Sequence, residues 1–285
     1  STQAKTLFPY TTLFRSRLRF HLDRRARRHS LRGGAGDDQI GGGYGKDTIL
    51  GGTGKDRVYA GDGDDDINGE DGDDDLYGDA GADKIQGGAG HDYLDGGAGA
   101  DSISAGDGAD WVVFDENDVS VIGGAGDDSL VIGANFTKVD FTLVRDDIFS
   151  GFEILDLMAT GSQSVKLSDA DVYTMTSSDR TLTLAANAAD GLLLVGNWAL
   201  ASTDATYKTY TTLYTPPGGA QTTLTVQVPV AITPGLVFIT GESTETVVGT
   251  AGDDEFHTNG GADVVNAGAG NDNIDSGTGD DTVNA

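Results

Sequence analysis

The sequence predicts an all-β chain of stacked coils interrupted by a β-rich module of a different kind. Three observations carry that prediction. Gly, Asp and aliphatic residues recur with a period of nine; 44 of the 285 residues are Gly; and only 37% are hydrophobic, a thin supply for an ordinary globular core.

Charge sets the first bound on function. The formal net charge is -28, which makes nucleic acid and anionic membranes poor partners and a cation the natural counterpart. Without one, this much like charge opposes compaction. There is no Cys, so disulfides and thiolate metal sites are excluded. No stretch reaches the roughly 18 apolar residues of a membrane span.

Residues 1–32 differ from the rest. They hold 9 of the 18 basic residues against the single acid Asp23, and no Gly occurs before Gly33. The remaining 253 residues carry 9 basic and 45 acidic side chains. Thr6-Leu-Phe-Pro-Tyr-Thr-Thr-Leu-Phe-Arg-Ser16 resembles translated sequencing-adapter read-through. The segment lacks the apolar stretch of a secretory signal and is expected to be non-native or disordered.

From Gly33 the period begins. Nine gapless units start at Gly33, Gly42, Gly51, Ala60, Gly69, Gly78, Gly87, Gly96 and Ala105. Position four is always Gly: Gly36, Gly45, Gly54, Gly63, Gly72, Gly81, Gly90, Gly99 and Gly108. Position six is always Asp: Asp38, Asp47, Asp56, Asp65, Asp74, Asp83, Asp92, Asp101 and Asp110. Position eight is always aliphatic, from Ile40 to Val112. Residues 114–122 keep the spacing and lose the turn; residues 123–131 restore it with Asp128. This first array spans 33–131. A second, 249–285, places Asp254, Asp263, Asp272 and Asp281 at position six, and the chain stops inside a repeat at Ala285. That ending, and a first residue that is not Met, lead us to expect a fragment.

Each unit reads as a six-residue turn followed by three residues carrying one inward aliphatic side chain. No single unit can bury that side chain alone, whereas a stack forms a narrow continuous core of Ile, Leu and Val. The Asp ranks need a counter-charge, since carboxylates repeated along a stack repel. Gly-rich turns offer carbonyl oxygens beside each carboxylate. That mixture suits Ca²⁺, which accepts six to eight oxygens in flexible geometry, better than Mg²⁺, with its strict octahedron and tightly held water. Zn²⁺ would need Cys or clustered His.

Gly87-Gly-Ala-Gly-His-Asp-Tyr-Leu-Asp95 and Gly96-Gly-Ala-Gly-Ala-Asp-Ser-Ile-Ser104 resemble the nonapeptide consensus of RTX proteins, the haemolysin-type calcium-binding repeats. That consensus carries its calcium with it. The resemblance implies a parallel β-roll, two nonapeptides per coil, multiple Ca²⁺ between stacked turns, and the position-six Asp and position-four Gly residues above as the metal-binding set. Counting one ion per gap, it implies roughly seven internal ions in the first array and about two in the second. It further implies type I secretion and a secreted or cell-surface location. Departures are Glu70 and Asp79 at position two, which are expected to strain their turns, and Ala60 and Ala105 at position one.

Residues 132–248 lose the period. Phe152–Leu157, Thr181–Leu184, Leu192–Val195 and Thr223–Val228 alternate as strands, and Ser168 to Asp171 forms an approximate capping box for a short helix. Thr215-Pro-Pro-Gly-Gly219 reads as a turn. The stretch is similar to β-rich modules between RTX arrays in very large bacterial adhesins.

Asp at positions five and seven, such as Asp64, Asp66, Asp73 and Asp75, is expected to face solvent. Tyr44, Tyr59, Tyr77, Tyr93 and Trp111 are spread over the repeat, so no aromatic platform is expected. His21, His29, His91 and His257 lie apart, without metal-ligand or nucleophile spacing, and no H-E-x-x-H, G-x-S-x-G or P-loop occurs. The expected role is non-catalytic: a calcium-dependent folding segment of a secreted adhesin- or toxin-like protein, with a cell-surface or glycan ligand reached through the parent. The alternative is the folding and secretion appendage of a secreted protease or lipase.

Overall fold

The computed structural model describes residues 11–13, 28–133, 135–136, 138–144, 148–157, 163–186, 190–196, 198–230, 237–239, 246–249 and 251–285. It divides into two compact units, Ser1–Leu130 and Val131–Ala285.

In the first unit the chain alternates between two parallel sheets. One holds Ser30–Ala35, Thr48–Thr53, Asp66–Asp71, Lys84–Ala89, Ser102–Asp107 and Ser120–Ala125. The other holds Gln39–Tyr44, Arg57–Asp62, Asp75–Ala80, Tyr93–Asp95 and Trp111–Val113. One coil is therefore two nonapeptides, and position-eight residues pair with their counterparts 18 further on. Ile49 faces Ile67, Ile67 faces Ile85, and Ile85 faces Ile103. In the opposite sheet the row is Ile40, Val58, Leu76, Leu94 and Val112. These side chains are almost wholly buried. Each stabilises the stack by about 1.5–3 kcal/mol, which is why three-residue strands suffice. The roll has the stacked units that the period predicted and is the parallel β-roll that the resemblance implied.

The core is not confined to Ile, Leu and Val. Phe114 stands at position one of the irregular unit 114–122, where its neighbours have Gly or Ala, and it is 2% exposed. Ala60 and Ala105, at the same position, are fully buried. Coil stacking also reaches ahead of Gly33: Leu31 is buried, and Thr11–Leu13 pairs in parallel with Ser30–Arg32.

The aromatics pack on one another, and two of them share a repeat position. Tyr59 and Tyr77 share position nine of alternate repeats, so the 18-residue coil brings them side by side, stacked with centroids 5.0 Å apart. Tyr93 continues the row, 5.7 Å from Tyr77, and Trp111 lies in register beside Tyr93. Tyr77 and Tyr93 are tilted by 45° rather than stacked. Glu70 and Asp79 do adopt left-handed backbone, at φ 75° and 69°.

The second unit, taken by itself, is also built by parallel stacking, with longer coils. Val139 pairs with Val165 and Val165 with Leu192, steps of 26 and 27 residues. A second sheet runs through Ile154–Asp156, Thr181–Ala185 and Thr222–Pro229, then turns antiparallel through Tyr207–Tyr214 and Ala199–Thr203. The helix Asp169–Met175 opens on the Ser168/Asp171 capping box and buries Val172 and Met175. Arg180 closes its far end, donating to the carbonyls of Tyr173 and Thr176 at 2.8 Å each. From Thr246 the nonapeptide rhythm returns, with Phe256 facing Ile274 and Val265 facing Val283.

Candidate metal centre

The position-six aspartates form two ladders along the first unit. In each, the backbone N–H of one Asp donates to Oδ1 of the Asp one coil later. The odd ladder runs Asp38, Asp56, Asp74, Asp92, Asp110 and Asp128, at 2.8, 2.8, 2.8, 2.8 and 3.0 Å. The even ladder runs Asp47, Asp65, Asp83 and Asp101, at 2.6, 2.7 and 2.7 Å. Asp254 to Asp272 and Asp263 to Asp281 repeat the contact at 3.0 Å in the second unit.

All ten position-six aspartates of the first array are buried. Oδ1 is occupied by the backbone. The other oxygen, Oδ2, is buried without a hydrogen-bond partner in Asp47, Asp56, Asp65, Asp74, Asp83, Asp92, Asp101 and Asp110. Buried polar atoms are ordinarily satisfied, so a rank of unmatched carboxylate oxygens marks a missing positive partner. Desolvation, then repulsion along the ladder, pushes these carboxyls up: Asp56 to about 6, and Asp83 and Asp92 to about 7. Asp254 and Asp263 are equally buried, whereas Asp272 and Asp281 are half-exposed.

Glycine makes room for this arrangement. A methyl on Gly51 would lie 2.6 Å from Asp56 Oδ2 and 2.7 Å from the Gly69 carbonyl oxygen. Carboxylate and carbonyl oxygens from successive coils therefore approach one point. At position four all nine glycines have positive φ. A methyl on Gly54 would lie 2.7 Å from the Gly36 carbonyl carbon, so the turns stack backbone against backbone. Among the described residues no three His, Cys, Asp or Glu side chains converge. A cation here must therefore take most of its oxygens from the main chain, which fits Ca²⁺ and not Zn²⁺.

Asp at position five is exposed, as expected, whereas Asp66 and Asp75 at position seven are half-buried. Asp37, Asp64 and Asp73 accept the N–H of Lys55, Ala82 and His91 at 3.0, 3.2 and 2.9 Å. Asp75 pairs with Arg57 and Lys55. His91 Nδ1 meets the Ala109 main chain and His257 meets Glu255.

Sequence reasoning missed three members of the ladders. His29 stands nine residues before Asp38, at a position-six place, and its N–H and ring Nδ1 lie 2.7 and 3.0 Å from Asp47 Oδ1. Asp118 extends the even ladder at a spacing of 17. In the second unit Asp190 Oδ1 accepts the Gln163 N–H at 2.9 Å. There the Gln163 amide donates to the carbonyls of Ile132, Gly133 and Phe136 at 3.1, 2.7 and 3.2 Å. A side-chain N–H group thus gathers three main-chain carbonyl oxygens.

Comparison with known families matches the RTX calcium-binding nonapeptide repeat in four copies, at residues 30–49, 41–76, 77–112 and 248–283. No curated protein matches the chain. No helix among the described residues is long and apolar enough to cross a membrane. The stacked Gly-Asp turns of this chain are RTX calcium-binding nonapeptide repeats, forming a parallel β-roll whose role is calcium binding and structure.

Proposed function

We propose that this chain is the calcium-folded structural segment of a secreted protein, open in a low-calcium cytosol and ordered outside the cell. The observation that carries the reading is the rank of buried Asp Oδ2 atoms without hydrogen-bond partners. Bound Ca²⁺ would supply the positive charge and the oxygen coordination that these atoms lack. The residues that would hold it are the position-six aspartates of both arrays, with main-chain carbonyls of the Gly-rich turns around Gly36 to Gly108.

Within a turn from Asp47 to Asp110, Oδ1 pins the preceding coil, Oδ2 is the oxygen that would meet a cation, Gly at position four lets the coils approach, and the aliphatic row zips the interior. Only stacked coils bring these oxygens together, so ion binding and folding are one equilibrium. The ladders of the first array contain nine Asp-to-Asp steps, counting those to Asp118 and Asp128, rather than the seven expected from the uninterrupted repeats.

Two acidic arrays flanking a β-rich stretch support an adhesin- or toxin-like parent. Hydrolase motifs elsewhere in the parent gene would favour a folding appendage of an enzyme instead. Calcium titration followed by far-UV circular dichroism tests the folding claim. Cooperative gain of β signal between chelator and millimolar Ca²⁺ is expected; a full β signal in chelator, unchanged by calcium, would refute it.

A further inference from the structure

The unit after the ninth repeat has lost its consensus. Phe114-Asp-Glu-Asn-Asp118 contains no Gly, and it lies outside the segments matched to the repeat family. On sequence alone it is a break in the array. The structure nevertheless carries the ladder through it.

Asp101 donates its N–H to Asp118 Oδ1 at 3.3 Å, 17 residues on instead of 18. The Asp101 carbonyl accepts from Val119 N–H at 2.9 Å, just as the Asp38 carbonyl accepts from Arg57, the residue after the next ladder Asp. The strand Ser120–Ala125 then pairs with Ser102–Asp107 at the usual spacing of 18. The turn is thus one residue short and the return one residue long, with Val119, 47% exposed, as the residue looped outward. This correction puts the Asp118 side chain where a position-six Asp belongs.

Asp118 is 3% exposed, and its Oδ2 is buried with no hydrogen-bond partner. The charged groups that face it are the carboxylates of Asp101 and Asp115, and no ion pair among the described residues involves it. Asp115 is held in the same turn by the main-chain and side-chain N–H groups of Asn117, at 2.8 and 2.7 Å. Main-chain N–H groups of Asp101 and Asp115 serve the carboxylate, yet its buried Oδ2 has no hydrogen-bond partner and the charged groups around it are all acidic, a setting that a cation would relieve.

We propose that the glycine-free turn Phe114–Asp118 forms, with the Asp101 turn, a further Ca²⁺ site in which Asp118 is the buried carboxylate ligand. The proposal rests on the calcium reading of the ladders but makes a separate claim: occupancy continues past the last consensus repeat of the even ladder.

Native mass spectrometry of the full chain in saturating Ca²⁺ separates the two. Asp118→Asn should hold one Ca²⁺ fewer than the parent while circular dichroism shows the array still folded. Asp92→Asn serves as the comparison inside the consensus. If Asp92→Asn loses an ion and Asp118→Asn loses none, the Asp118 site is refuted and the ladder reading stands. If neither variant loses an ion, both fall. Should Asp118→Asn fail to fold, hydrogen exchange on the unaltered chain decides. Protection of residues 114–119 that rises with calcium alongside 84–107 supports the site. Absence of protection there, once 84–107 is fully protected, overturns it.

Discussion

Replacing Asp92 with Asn separates the two jobs of a ladder carboxylate. Asn keeps an oxygen where Asp92 Oδ1 accepts the Asp74 N–H at 2.8 Å, and it keeps the N–H that Asp92 donates to Asp110 Oδ1, also at 2.8 Å. What changes is the second oxygen, buried without a partner, which becomes an NH₂ that cannot ligate a cation. One hydrogen bond falls from the charged to the neutral class, a loss of about 1 kcal/mol. The larger loss is the ion. A site with ligand at one hundred times its Kd contributes about 2.7 kcal/mol, so removing it brings the total to roughly 3–4 kcal/mol of calcium-dependent stability. Asp92→Ala would cost about 1–3 kcal/mol more, because the Asp74 N–H loses its acceptor. Urea unfolding at saturating Ca²⁺, with ion count by native mass spectrometry, reads both effects. Asp73→Asn is the control, since Asp73 lies outside and accepts only the His91 N–H. The reasoning is refuted if Asp92→Asn matches the parent in stability and stoichiometry, or if Asp73→Asn costs as much.

Other consequences are as direct. Gly54→Ala would set a methyl 2.7 Å from the Gly36 carbonyl carbon at a φ of 118°, so it should abolish calcium-induced folding of the surrounding coils, read by circular dichroism. Glu70→Gly relieves a left-handed non-Gly residue at φ 75° and should raise stability at saturating calcium by about 0.5–1 kcal/mol, since its exposed pair with Arg32 is worth little. Gln163→Ala strips one buried and two part-buried carbonyls of their donor and should destabilise the second unit by roughly 1–3 kcal/mol with the ion count unchanged. In chelator, pH should act in reverse of ordinary acid unfolding. Asp56, Asp83 and Asp92 have folded values raised to about 6, 7 and 7, so the metal-free roll gains from their protonation. That gain is fully present below the ordinary carboxylate range and is lost as pH rises through about 6 to 7. More β signal is expected in chelator at pH 5 than at pH 8; equal signals would contradict the burial of these carboxyls.

The roll itself was legible because period and structure coincide. The repeat fixes positions six and eight, the family resemblance adds the two-repeat coil behind the 18-residue pairing, and the position-six aspartates from Asp38 to Asp128 line up in ladders. What escaped the sequence escaped for physical reasons. Asp118 is hidden by a deletion and an insertion that cancel only in three dimensions. The parallel steps after Val131 are irregular, at 26, 27, 29 and 44 residues, so no single period reveals that these strands stack. Tyr59 and Tyr77 meet because a coil contains two repeats, so a contact is set by position and by repeat parity together. His29 sits in a basic segment with no Gly turn, and only its distance from Asp38 betrays its place. The Gln163 amide has no sequence signature, because its three carbonyl partners lie 27–31 residues away.

The metal content of the folded chain tests the central claim most directly. Protein equilibrated in calcium and freed of unbound ion should retain several Ca²⁺ per molecule, approaching one for each ladder step, and should lose its β signal when a chelator removes them. A chain that stays folded with no retained metal would show that the buried carboxylates find their partner elsewhere, and the account would fail.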